Sequence, residues 1–293
     1  MTYQDAYKWG VATLAQAGVE EAMLDARLLL EDVCHTNRND LLVHGDRIVE
    51  EEQLAKYRGY IQKRAQRIPL QHITGVQEFM GLEFQVNRHV LIPRQDTEVL
   101  VEEVLRNAYE GMRILDMCTG SGCILISLLH YTNNTIGVGA DISESALEVA
   151  KGNAKKLLAD RATMEDVFAE AGKVNRVEFL HSDLFANVQG KFDIIVSNPP
   201  YIRTDVIDTL MPEVREHEPM QALDGAADGL FFYRKIVEES KEYLVSSGML
   251  YFEIGHDQAQ EVSELMKCAG YGDINVVKDL AGLDRVVYGT YIG

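Results

Sequence analysis

The stretch that decides the fold is residues 113–131, Arg-Ile-Leu-Asp-Met-Cys-Thr-Gly-Ser-Gly-Cys-Ile-Leu-Ile-Ser-Leu-Leu-His-Tyr. Its apolar start, residues 113–117, predicts a buried strand, and the periodicity over 121–131 predicts a helix directly after it. Between them, Gly120 and Gly122 allow a tight turn and a close approach of backbone to a ligand. The N–H groups that open the helix add donors and a positive dipole end. The pattern indicates a ligand cradle at the carboxyl edge of a sheet.

Around this stretch, short apolar strands alternate with amphipathic helices, which is typical of a parallel sheet covered on both faces. The further predicted strands are residues 135–140, 177–181, 192–197 and 249–254, and the further predicted helices are residues 144–158, 229–244 and 258–268. Two last strands, 274–278 and 285–291, are separated by only six residues. That is too few for a crossover helix, so we expect this pair to be antiparallel. The predicted fold class is α/β, a Rossmann-like, mostly parallel sheet with an antiparallel C-terminal strand.

The N-terminal part of the chain has a different pattern. In the first 74 residues, apolar positions such as Leu24 and Leu28 recur at three-and-four spacing, which predicts a small helical bundle. Residues 75–93 alternate apolar and polar positions and predict a β-hairpin that includes Val90 and Ile92. We therefore expect a helical domain at residues 1–74, a hairpin linker at 75–93 and an α/β domain at 94–293.

Composition narrows the function classes. The 293 residues carry 28 Lys and Arg against 46 Asp and Glu, a formal net charge of −18, of which residues 1–75 contribute −2 and residues 76–293 contribute −16. Such an acidic chain repels phosphates, so we expect no direct nucleic-acid partner. The four cysteines form no C-x-x-C pair and have no His at metal-ligand spacing, so we expect no metal. With no signal peptide or membrane span expected, we predict a cytoplasmic protein, and a monomer.

The ends of three predicted strands carry candidate cofactor-binding residues. Asp141 lies 21 residues after Gly120, where a carboxylate can accept both hydroxyls of a ribose. Asp183 can accept from an adenine amine, and Leu184 can cover a face of the base. The set is completed by the turn residues Cys118, Thr119, Gly120, Ser121 and Gly122. A helix cap at Asp141 and a solvated loop acid at Asp183 are the alternatives.

The third glycine of the dinucleotide fingerprint is absent, because Leu125 occupies its position. This favours a nucleoside ligand without a diphosphate. The commonest such cofactor on this kind of sheet is S-adenosylmethionine.

The sharpest pattern is Asn198-Pro199-Pro200-Tyr201, which follows the predicted strand 192–197. Two prolines fix the backbone and remove two N–H donors, which leaves carbonyls to accept from a ligand. Asn198 adds a side-chain carbonyl, and Tyr201 adds a flat aromatic face. We call residues 198–201 the amide slot, because they suit a planar group that bears an NH2. An Asn-Pro turn with a buried Tyr is the alternative.

On these residues the chain resembles the class I S-adenosylmethionine-dependent methyltransferases that act on planar nitrogens. The group includes adenine-amino DNA methyltransferases and protein glutamine methyltransferases, so Asn-Pro-Pro-Tyr alone does not choose a substrate. Further blocks are similar to the peptide chain release factor glutamine methyltransferases of bacteria and organelles. They are PLQHITG at 69–75, IPRQDTE at 92–98, EVREHEP at 213–219, ALDG at 222–225, EIG at 253–255 and DLAGLDR at 279–285.

The resemblance covers nearly the whole chain and implies methyl transfer from S-adenosylmethionine to the glutamine amide nitrogen in the Gly-Gly-Gln loop of peptide chain release factors, in support of translation termination. It implies that Asn198, Pro199 and Tyr201 are catalytic, that Pro200 joins them in holding the substrate, and that Asn198 also lines the cofactor. The helical domain is expected to dock the partner. The sequence departs from the family pattern at Cys118, where Gly is frequent, at Leu184, where Trp is frequent, and in a longer segment at 159–176.

Two other substrates stay open. Another protein glutamine, for example on a ribosomal protein, would require the same chemistry. Adenine-amino methylation of nucleic acid is less expected, because no Lys or Arg cluster brackets the amide slot and phosphate binding needs one. As secondary candidates, Arg94 and Glu98 could brace the amide slot, Arg215 and Asp224 could shape its mouth, and the strand end at Glu253 could support it.

Overall fold

The computed structural model describes residues 1–159 and 175–293. The segment at 159–176 that the sequence marks as long therefore lies almost entirely outside the described residues. The chain divides into two compact units. One, here called the helical unit, contains Met1–Val76 and Met211–His217, and the other, here called the sheet unit, contains Gln77–Leu210 and Glu218–Gly293.

The helical unit is a small bundle with its own core, as predicted. Its N-terminal helices are α1 (Tyr3–Gln16), α2 (Ala22–Cys34), α3 (Arg38–Val43), α4 (Glu51–Ala65) and α5 (Leu70–Thr74). A reciprocal pair of hydrogen bonds between Thr2 and Asp5 caps the start of α1, which satisfies donors that the helix leaves unpaired. The Tyr57 side chain is fully buried and donates to the carbonyl of Ala26 at 3.1 Å.

A segment from later in the chain completes the helical unit. It contains the short helix Pro212–Arg215, which is α10 in chain order. Glu213 in this helix accepts from Arg67 at 2.6 and 2.7 Å and pairs with Arg64 at 2.9 Å. These partners lower the pKa of Glu213 to about 2, against the desolvation that raises it. The carboxylate therefore stays ionised and anchors the segment within the unit.

The sheet unit begins with a hairpin and continues with alternating strands and helices. The hairpin pairs β1 (Val76–Phe79) with β2 (Leu82–Gln85). The strands that follow are β3 (Arg113–Met117), β4 (Ile136–Asp141), β5 (Arg176–His181), β6 (Phe192–Ser197), β7 (Leu244–Glu253), β8 (Tyr271–Lys278) and β9 (Asp284–Tyr291). The helices are α6 (Glu98–Asn107), α7 (Cys123–Tyr131), α8 (Glu144–Leu157), α9 (Thr204–Ile207), α11 (Phe231–Ser240) and α12 (Ala259–Cys268).

Seven of the described strands form one sheet in the order β5-β4-β3-β6-β7-β9-β8. The strands from β5 to β7 in this order are parallel, and β9 pairs antiparallel with both β7 and β8. The predicted fold class and the antiparallel C-terminal pair are confirmed. Helices α6, α7 and α8 contribute to the apolar core on one face, and α11 and α12 contribute to the core on the other. Because helices cover both faces of the sheet, the central strands are buried on both sides, and their sequences are continuous apolar runs.

Two details of the predicted elements are wrong. Val90 and Ile92 are buried but lie outside any strand, because a turn at Asn87, whose side chain accepts from the N–H of His89 at 2.9 Å, ends the pairing. These two residues are apolar because they are buried, and the sequence alone could not distinguish such burial from a strand.

The predicted helix 229–244 is also too long.

That helix is α11, which stops at Ser240, and Leu244 already belongs to β7. The carbonyl of Tyr243 accepts from the N–H of Phe192 at 2.7 Å, and Leu244 pairs with Phe192 in the sheet. The apolar pair at 243–244 continued the helical period, but its backbone pairs with β6, a strand about fifty residues earlier in the chain.

None of the helices in residues 1–159 and 175–293 has the length and apolar character that crossing a membrane requires.

Candidate active site

A cavity of about 810 Å³ lies in the sheet unit at the carboxyl ends of β3, β4, β5 and β6. Strand β3 is flanked by β4 and β6, so the cavity lies where the strand order reverses, as ligand sites in open α/β sheets do. Among the described lining residues are the predicted Cys118, Thr119, Gly120, Ser121, Asp141, Asp183, Leu184, Asn198 and Pro200. The predicted Gly122, Pro199 and Tyr201 stand outside this described lining.

The turn after β3 depends on left-handed backbone. Gly120 has φ +54° and Gly122 has φ +78°, a region that side chains disfavour. A Cβ added at Gly122 would come within 2.8 Å of Ile126 and 3.2 Å of Ala150, whereas one added at Gly120 would meet open space. Gly122 is therefore required for helix packing, and Gly120 leaves room in the cavity. Cys118, at φ +62°, is also left-handed, a conformation that favours Gly over other residues.

A buried carboxyl lies beneath this turn. Asp116 is fully buried and accepts from the hydroxyl of Thr119 at 2.5 Å. Burial raises the pKa of Asp116 to about 7, and the hydrogen bond from Thr119 opposes that rise. The hydrogen bond between Thr119 and Asp116 joins residues only three positions apart and holds the turn from beneath.

Asp141 at the end of β4 is tied to the turn. Its two carboxylate oxygens accept from the N–H of Gly120 and the N–H of Ser143, both at 2.8 Å. Burial raises the pKa of Asp141, and these N–H donors oppose the rise. The side chain of Ser143, not that of Asp141, caps α8 by accepting from the N–H of Ala146 at 3.2 Å. The helix-cap alternative for Asp141 is therefore wrong, and its carboxylate lines the cavity.

The loop after β5 is held by its own side chains. The hydroxyl of Ser182 donates to the carbonyl of Leu184 at 2.6 Å and accepts from the N–H of Asn187 at 3.0 Å. This turn places Leu184 at φ +47°. Asp183 is exposed and Leu184 is half-buried, and both line the cavity.

Asn198 has a defined side-chain orientation at the end of β6. Its Nδ2 donates to the Thr97 hydroxyl at 3.5 Å. That contact directs the NH2 of the amide toward Thr97, so the carbonyl oxygen Oδ1 faces away from Thr97. The preceding Ser197 donates to the carbonyl of Met117 at 2.6 Å, which locks the end of β6 to the end of β3.

Tyr201 is half-buried and closely follows the cavity residues Asn198 and Pro200. Its hydroxyl donates to Oε1 of Glu253 at 3.4 Å. Burial raises the pKa of Glu253 to about 7, opposed by the Thr97 hydroxyl and by Arg285. Burial and the nearby Glu253 also raise the pKa of Tyr201 above its ordinary value. Tyr201 is thus a neutral hydrogen-bond donor to the end of β7, and Glu253 supports the amide slot from below.

Gln258 is a residue at this site that the sequence analysis missed. Its Nε2 donates to the carbonyls of Tyr201 and Gly229 at 3.1 and 3.2 Å, and its Oε1 accepts from the N–H of Gly255 at 2.9 Å. The hydroxyl of Tyr233 lies 3.5 Å from the same Oε1. One buried amide therefore connects three loops. The sequence gives no signal for this role, because Tyr201 and Gly229 lie 57 and 29 residues away along the chain.

Gly225 and Gly229 allow their backbone to pack directly against Tyr201 of the amide slot. A Cβ at Gly225 would come within 2.7 Å of the Tyr201 Cα, and one at Gly229 would collide with the Tyr201 carbonyl oxygen. The backbone of Ile202 bonds to that of Leu223 and Gly225, at 3.0 and 2.7 Å. The ALDG block at 222–225 thus lies directly against the amide slot.

The secondary candidates separate into two groups. Arg94 and Asp224 line the cavity, and Arg94 binds the buried carboxylate of Glu218 at 2.5 Å. Glu98 instead accepts from the N–H of Met80 at the hairpin turn, at 2.7 Å, and Arg215 belongs to the helical unit. The apolar lining residues Met220, Phe231 and Phe232 were not predicted.

The sheet order, the glycine turn and the Asn-Pro-Pro-Tyr element at one cavity define a class I methyltransferase. Residues 94–213 match the family model described as the methyltransferase small domain, and residues 5–75 match the PrmC N-terminal domain. A crystal structure of a methyltransferase from Pyrococcus furiosus shares the fold, with a TM-score of 0.50 and 17% identity over 73% of this chain and 90% of that chain.

Two relatives are similar over almost their whole length. The release factor glutamine methyltransferase of Geobacter sulfurreducens is 42% identical over 289 residues, 98% of this chain and 96% of the relative. The protein of the same name from Agrobacterium fabrum is 41% identical over 280 residues, 94% of this chain and 92% of the relative. The chain belongs to the release factor glutamine methyltransferase family, which confirms the resemblance expected from its motifs.

Proposed function

We propose that this chain transfers the methyl group of S-adenosylmethionine to the side-chain amide nitrogen of the glutamine in the Gly-Gly-Gln loop of peptide chain release factors. The observation that carries the proposal is the orientation of Asn198. Its NH2 is held by Thr97, so its carbonyl oxygen is the part offered to a ligand. An acceptor in that position suits a substrate amide, whose nitrogen carries two hydrogens. The names of the relatives support the same substrate.

The cavity residues fit S-adenosylmethionine. The volume of about 810 Å³ is within the range of cofactor sites, and the open space at Gly120 admits a ligand against the backbone. Asp141 would accept the ribose hydroxyls, Asp183 would accept the adenine amine, and Leu184 would cover the base. Residues 118–122 would line the remainder of the cofactor, together with Asn198. The bound cofactor supplies a methyl group on a sulfonium, which is an electrophile.

The task left to the protein is to make an amide react. An amide nitrogen is a poor nucleophile because its lone pair is delocalised into the carbonyl. Oδ1 of Asn198 and the carbonyl of Pro199 would accept the two amide hydrogens, aim the nitrogen at the methyl group and favour the positive charge that develops on it. Pro200 brings no N–H that could compete for these acceptors. The ring of Tyr201 would pack on the amide plane, and water or a carbonyl would take the proton that leaves.

The remaining parts of the chain have proposed roles in partner binding. We assign docking of the release factor to the helical domain, residues 1–74, linked through residues 75–93 to the catalytic domain, residues 94–293. A groove of about 660 Å³ in the helical unit supports this role, because exposed Met23, Leu42 and Val43 line it beside the bases Lys8 and Arg38. We propose that the enzyme acts as a monomer in the cytoplasm, where translation terminates.

The direct test is transfer of radiolabelled methyl groups from S-adenosylmethionine. The acceptors are purified release factor, a version with the Gly-Gly-Gln glutamine changed to Ala, a glutamine-bearing ribosomal protein and duplex DNA. We expect label on the intact release factor alone. Label on DNA, on the ribosomal protein in preference to the release factor, or equally on both release-factor versions would contradict the proposal.

A further inference from the structure

A chain of hydrogen bonds connects the amide slot to the buried carboxyl of Glu253. Nδ2 of Asn198 donates to the hydroxyl of Thr97 at 3.5 Å, and the hydroxyl of Tyr201 donates to Oε1 of Glu253 at 3.4 Å. Thr97 and Asn198 line the cavity, whereas Glu253 stands outside its described lining. Any effect of Glu253 on a ligand therefore passes through the side chains that bond to it.

Thr97 joins Asn198 to Glu253. Thr97 and Glu253 are each 2% exposed, so their polar atoms depend on partners within the protein. Burial raises the pKa of Glu253 to about 7, and a hydrogen bond from the Thr97 hydroxyl opposes that rise. Oε2 of Glu253 is buried and lacks a short hydrogen bond within the described residues, so it has lone pairs available for the hydrogen of Thr97.

The direction of this bond decides the orientation of Asn198. A hydroxyl has one hydrogen and two lone pairs. When the hydrogen of Thr97 points to a carboxylate, only the lone pairs of its oxygen face Asn198, and they can bond to the NH2 of the amide but not to its carbonyl. A protonated Glu253 would instead donate its own hydrogen to Thr97 and free the Thr97 hydrogen for Oδ1 of Asn198. The amide would then turn and present a donor to the substrate NH2, which is also a donor.

We propose that Thr97 and Glu253 are positioning residues for methyl transfer: ionised Glu253 directs the Thr97 hydroxyl, and Thr97 holds Asn198 with its carbonyl oxygen available to the substrate amide. This role rests on the proposed function, because a substrate NH2 is what requires an acceptor at Asn198. The amide slot is then fully active with Glu253 ionised and weakened with Glu253 protonated. The rate of methyl transfer should rise with pH as Glu253 loses its proton.

Several other ionisable groups face Glu253 and bear on this pH dependence. They are Tyr201 in the amide slot, Asp96 before α6, Cys123 on α7, Tyr233 on α11 and Arg285 on β9. Burial raises the pKa of both tyrosines and of the cysteine above their ordinary values, so these three stay neutral. The guanidinium stays charged, and Asp96 is 54% exposed, which lets water screen its charge. Glu253 is therefore the buried group of this cluster that changes charge near neutral pH.

The test uses the full-length enzyme with radiolabelled S-adenosylmethionine and release factor. Thr97→Val removes the hydroxyl and keeps the shape of the side chain, and we expect it to lower kcat about 10-fold. Affinity for S-adenosylmethionine, measured by calorimetry, should stay within about twofold of the wild type, and Thr97→Ser, which keeps the hydroxyl, should restore kcat to within about threefold. Thr135→Val is the matched control, because Thr135 is fully buried and its hydroxyl bonds to the carbonyl of Asn133 just before β4, away from the cavity. It should leave kcat unchanged.

Two further measurements separate positioning from a general loss of structure. Adding Thr97→Val to Asn198→Ala should lower kcat by less than about twofold more, because Thr97 acts through Asn198. The kcat of the wild type should fall as the pH drops below about 7, and Glu253→Gln, whose amide cannot ionise, should have a lower kcat without that dependence. The Glu253→Gln profile is needed because the pKa of Asp116 is also raised to about 7.

A measurement without substrate tests the same chain of bonds. In protein that contains isotopically labelled asparagine, the NMR signals of the Asn198 side-chain NH2 are identified by their absence in Asn198→Ala. They should shift with pH in the wild type and lose that shift in Thr97→Val and in Glu253→Gln. Because no release factor is present, this result decides the positioning role even if the wild type does not methylate release factor and the proposed function fails.

Four results would overturn the positioning role. They are a kcat for Thr97→Val within about twofold of the wild type, an equal loss in Thr135→Val, a further loss of about 10-fold in the double variant, and Asn198 NH2 signals whose pH dependence survives in Glu253→Gln. If the wild type methylates release factor and Thr97→Val matches it, only the positioning role fails.

Discussion

The two ends of the cavity are built in different ways. At the end assigned to the cofactor, which we call the cofactor loops (residues 118–122, Asp141 and residues 182–184), most of the fixing bonds join near neighbours. Examples are Thr119 with Asp116, Ser143 with Asp141, and Ser182 with Leu184. The amide slot is fixed from a distance, by Asn198 with Thr97, Ser197 with Met117, and Tyr201 with Gln258.

The difference teaches where each function is encoded. The cofactor loops keep most of their shape through hydrogen bonds between residues close in sequence and through residues with left-handed backbone. The amide slot is rigid because Thr97, Glu253 and Gln258 converge on it from other loops. Changes at remote positions should therefore disturb the amide slot, whereas the cofactor loops should respond mainly to changes within them.

The largest effect should come from Asn198→Ala. Removing the acceptor for the substrate amide should lower kcat roughly 100-fold or more, as for loss of one preorganised transition-state contact. Affinity for S-adenosylmethionine, measured by calorimetry, should remain close to that of the wild type. Exposed Asn133→Ala serves as the control. Near-normal turnover in Asn198→Ala would contradict the proposed mechanism.

Asp141→Ala should give the opposite pattern. Loss of the ribose acceptor should weaken binding of S-adenosylmethionine about 30-fold, since hydrogen bonds to charged groups contribute about 1.5–3 kcal/mol. At saturating cofactor, kcat should recover most of its wild-type value. Asp141→Asn, which keeps one acceptor, should lose less affinity. An unchanged titration with the cofactor in Asp141→Ala would refute the ribose assignment.

Glu253→Gln tests how the buried carboxyl below the amide slot makes the stability of the protein depend on pH. Because its folded pKa of about 7 lies above the ordinary 4.5, the folded protein binds more protons than the unfolded chain between these values. The free energy of unfolding therefore falls as pH rises through that window. We expect Glu253→Gln to match the wild type near pH 4.5 and to be more stable by about 3 kcal/mol at pH 8.

Urea unfolding across pH measures this difference, with exposed Glu261→Gln as the control. A difference between Glu253→Gln and the wild type that does not vary with pH would show that the burial of Glu253 has another consequence. Asp116 contributes with the same sign, because its pKa is also raised to about 7.

Gln258→Leu tests whether the amide slot depends on a remote side chain. Loss of the donors to the carbonyls of Tyr201 and Gly229 should lower kcat about 10-fold by misplacing the slot, with little change in cofactor affinity. Gln258→Glu keeps the acceptor but loses these donors, and should lose a similar factor. Gln260→Leu, an exposed position on the same helix, should behave as the wild type. Equal loss of cofactor affinity would remove the distinction between the two ends.

The smallest effect concerns Cys118 in the cofactor loops. Because its φ is +62°, Cys118→Gly should be more stable than Cys118→Ala by about 1 kcal/mol. The comparison with Ala removes the contribution of side-chain packing from the difference. Unfolding midpoints in urea measure it, and equal stability of the two variants would argue that the loop relaxes when the cysteine is replaced.

The sequence predicted the sheet and the cofactor loops well for a physical reason. Strands such as 113–117 and 192–197 have lengths and apolar runs that their burial on both faces requires, and their bounds agree with the structure. Glycine and acid positions at strand ends reflect local backbone demands. The predicted element boundaries were wrong where pairing between distant strands decides them. Leu244, for example, belongs to β7 and pairs with β6 instead of continuing α11.

The sequence by itself determined the fold class, the family and the residue types at the cavity, because apolar period, glycine placement and Asn-Pro-Pro-Tyr are local properties of the chain. Only the tertiary structure decided which way the Asn198 amide points, that Tyr201 bonds to Glu253, and that Gln258 connects three loops. The bonds of Asn198 to Thr97, of Tyr201 to Glu253 and of Gln258 to Tyr201 each join groups at least fifty residues apart, and such partners are chosen by the folded sheet.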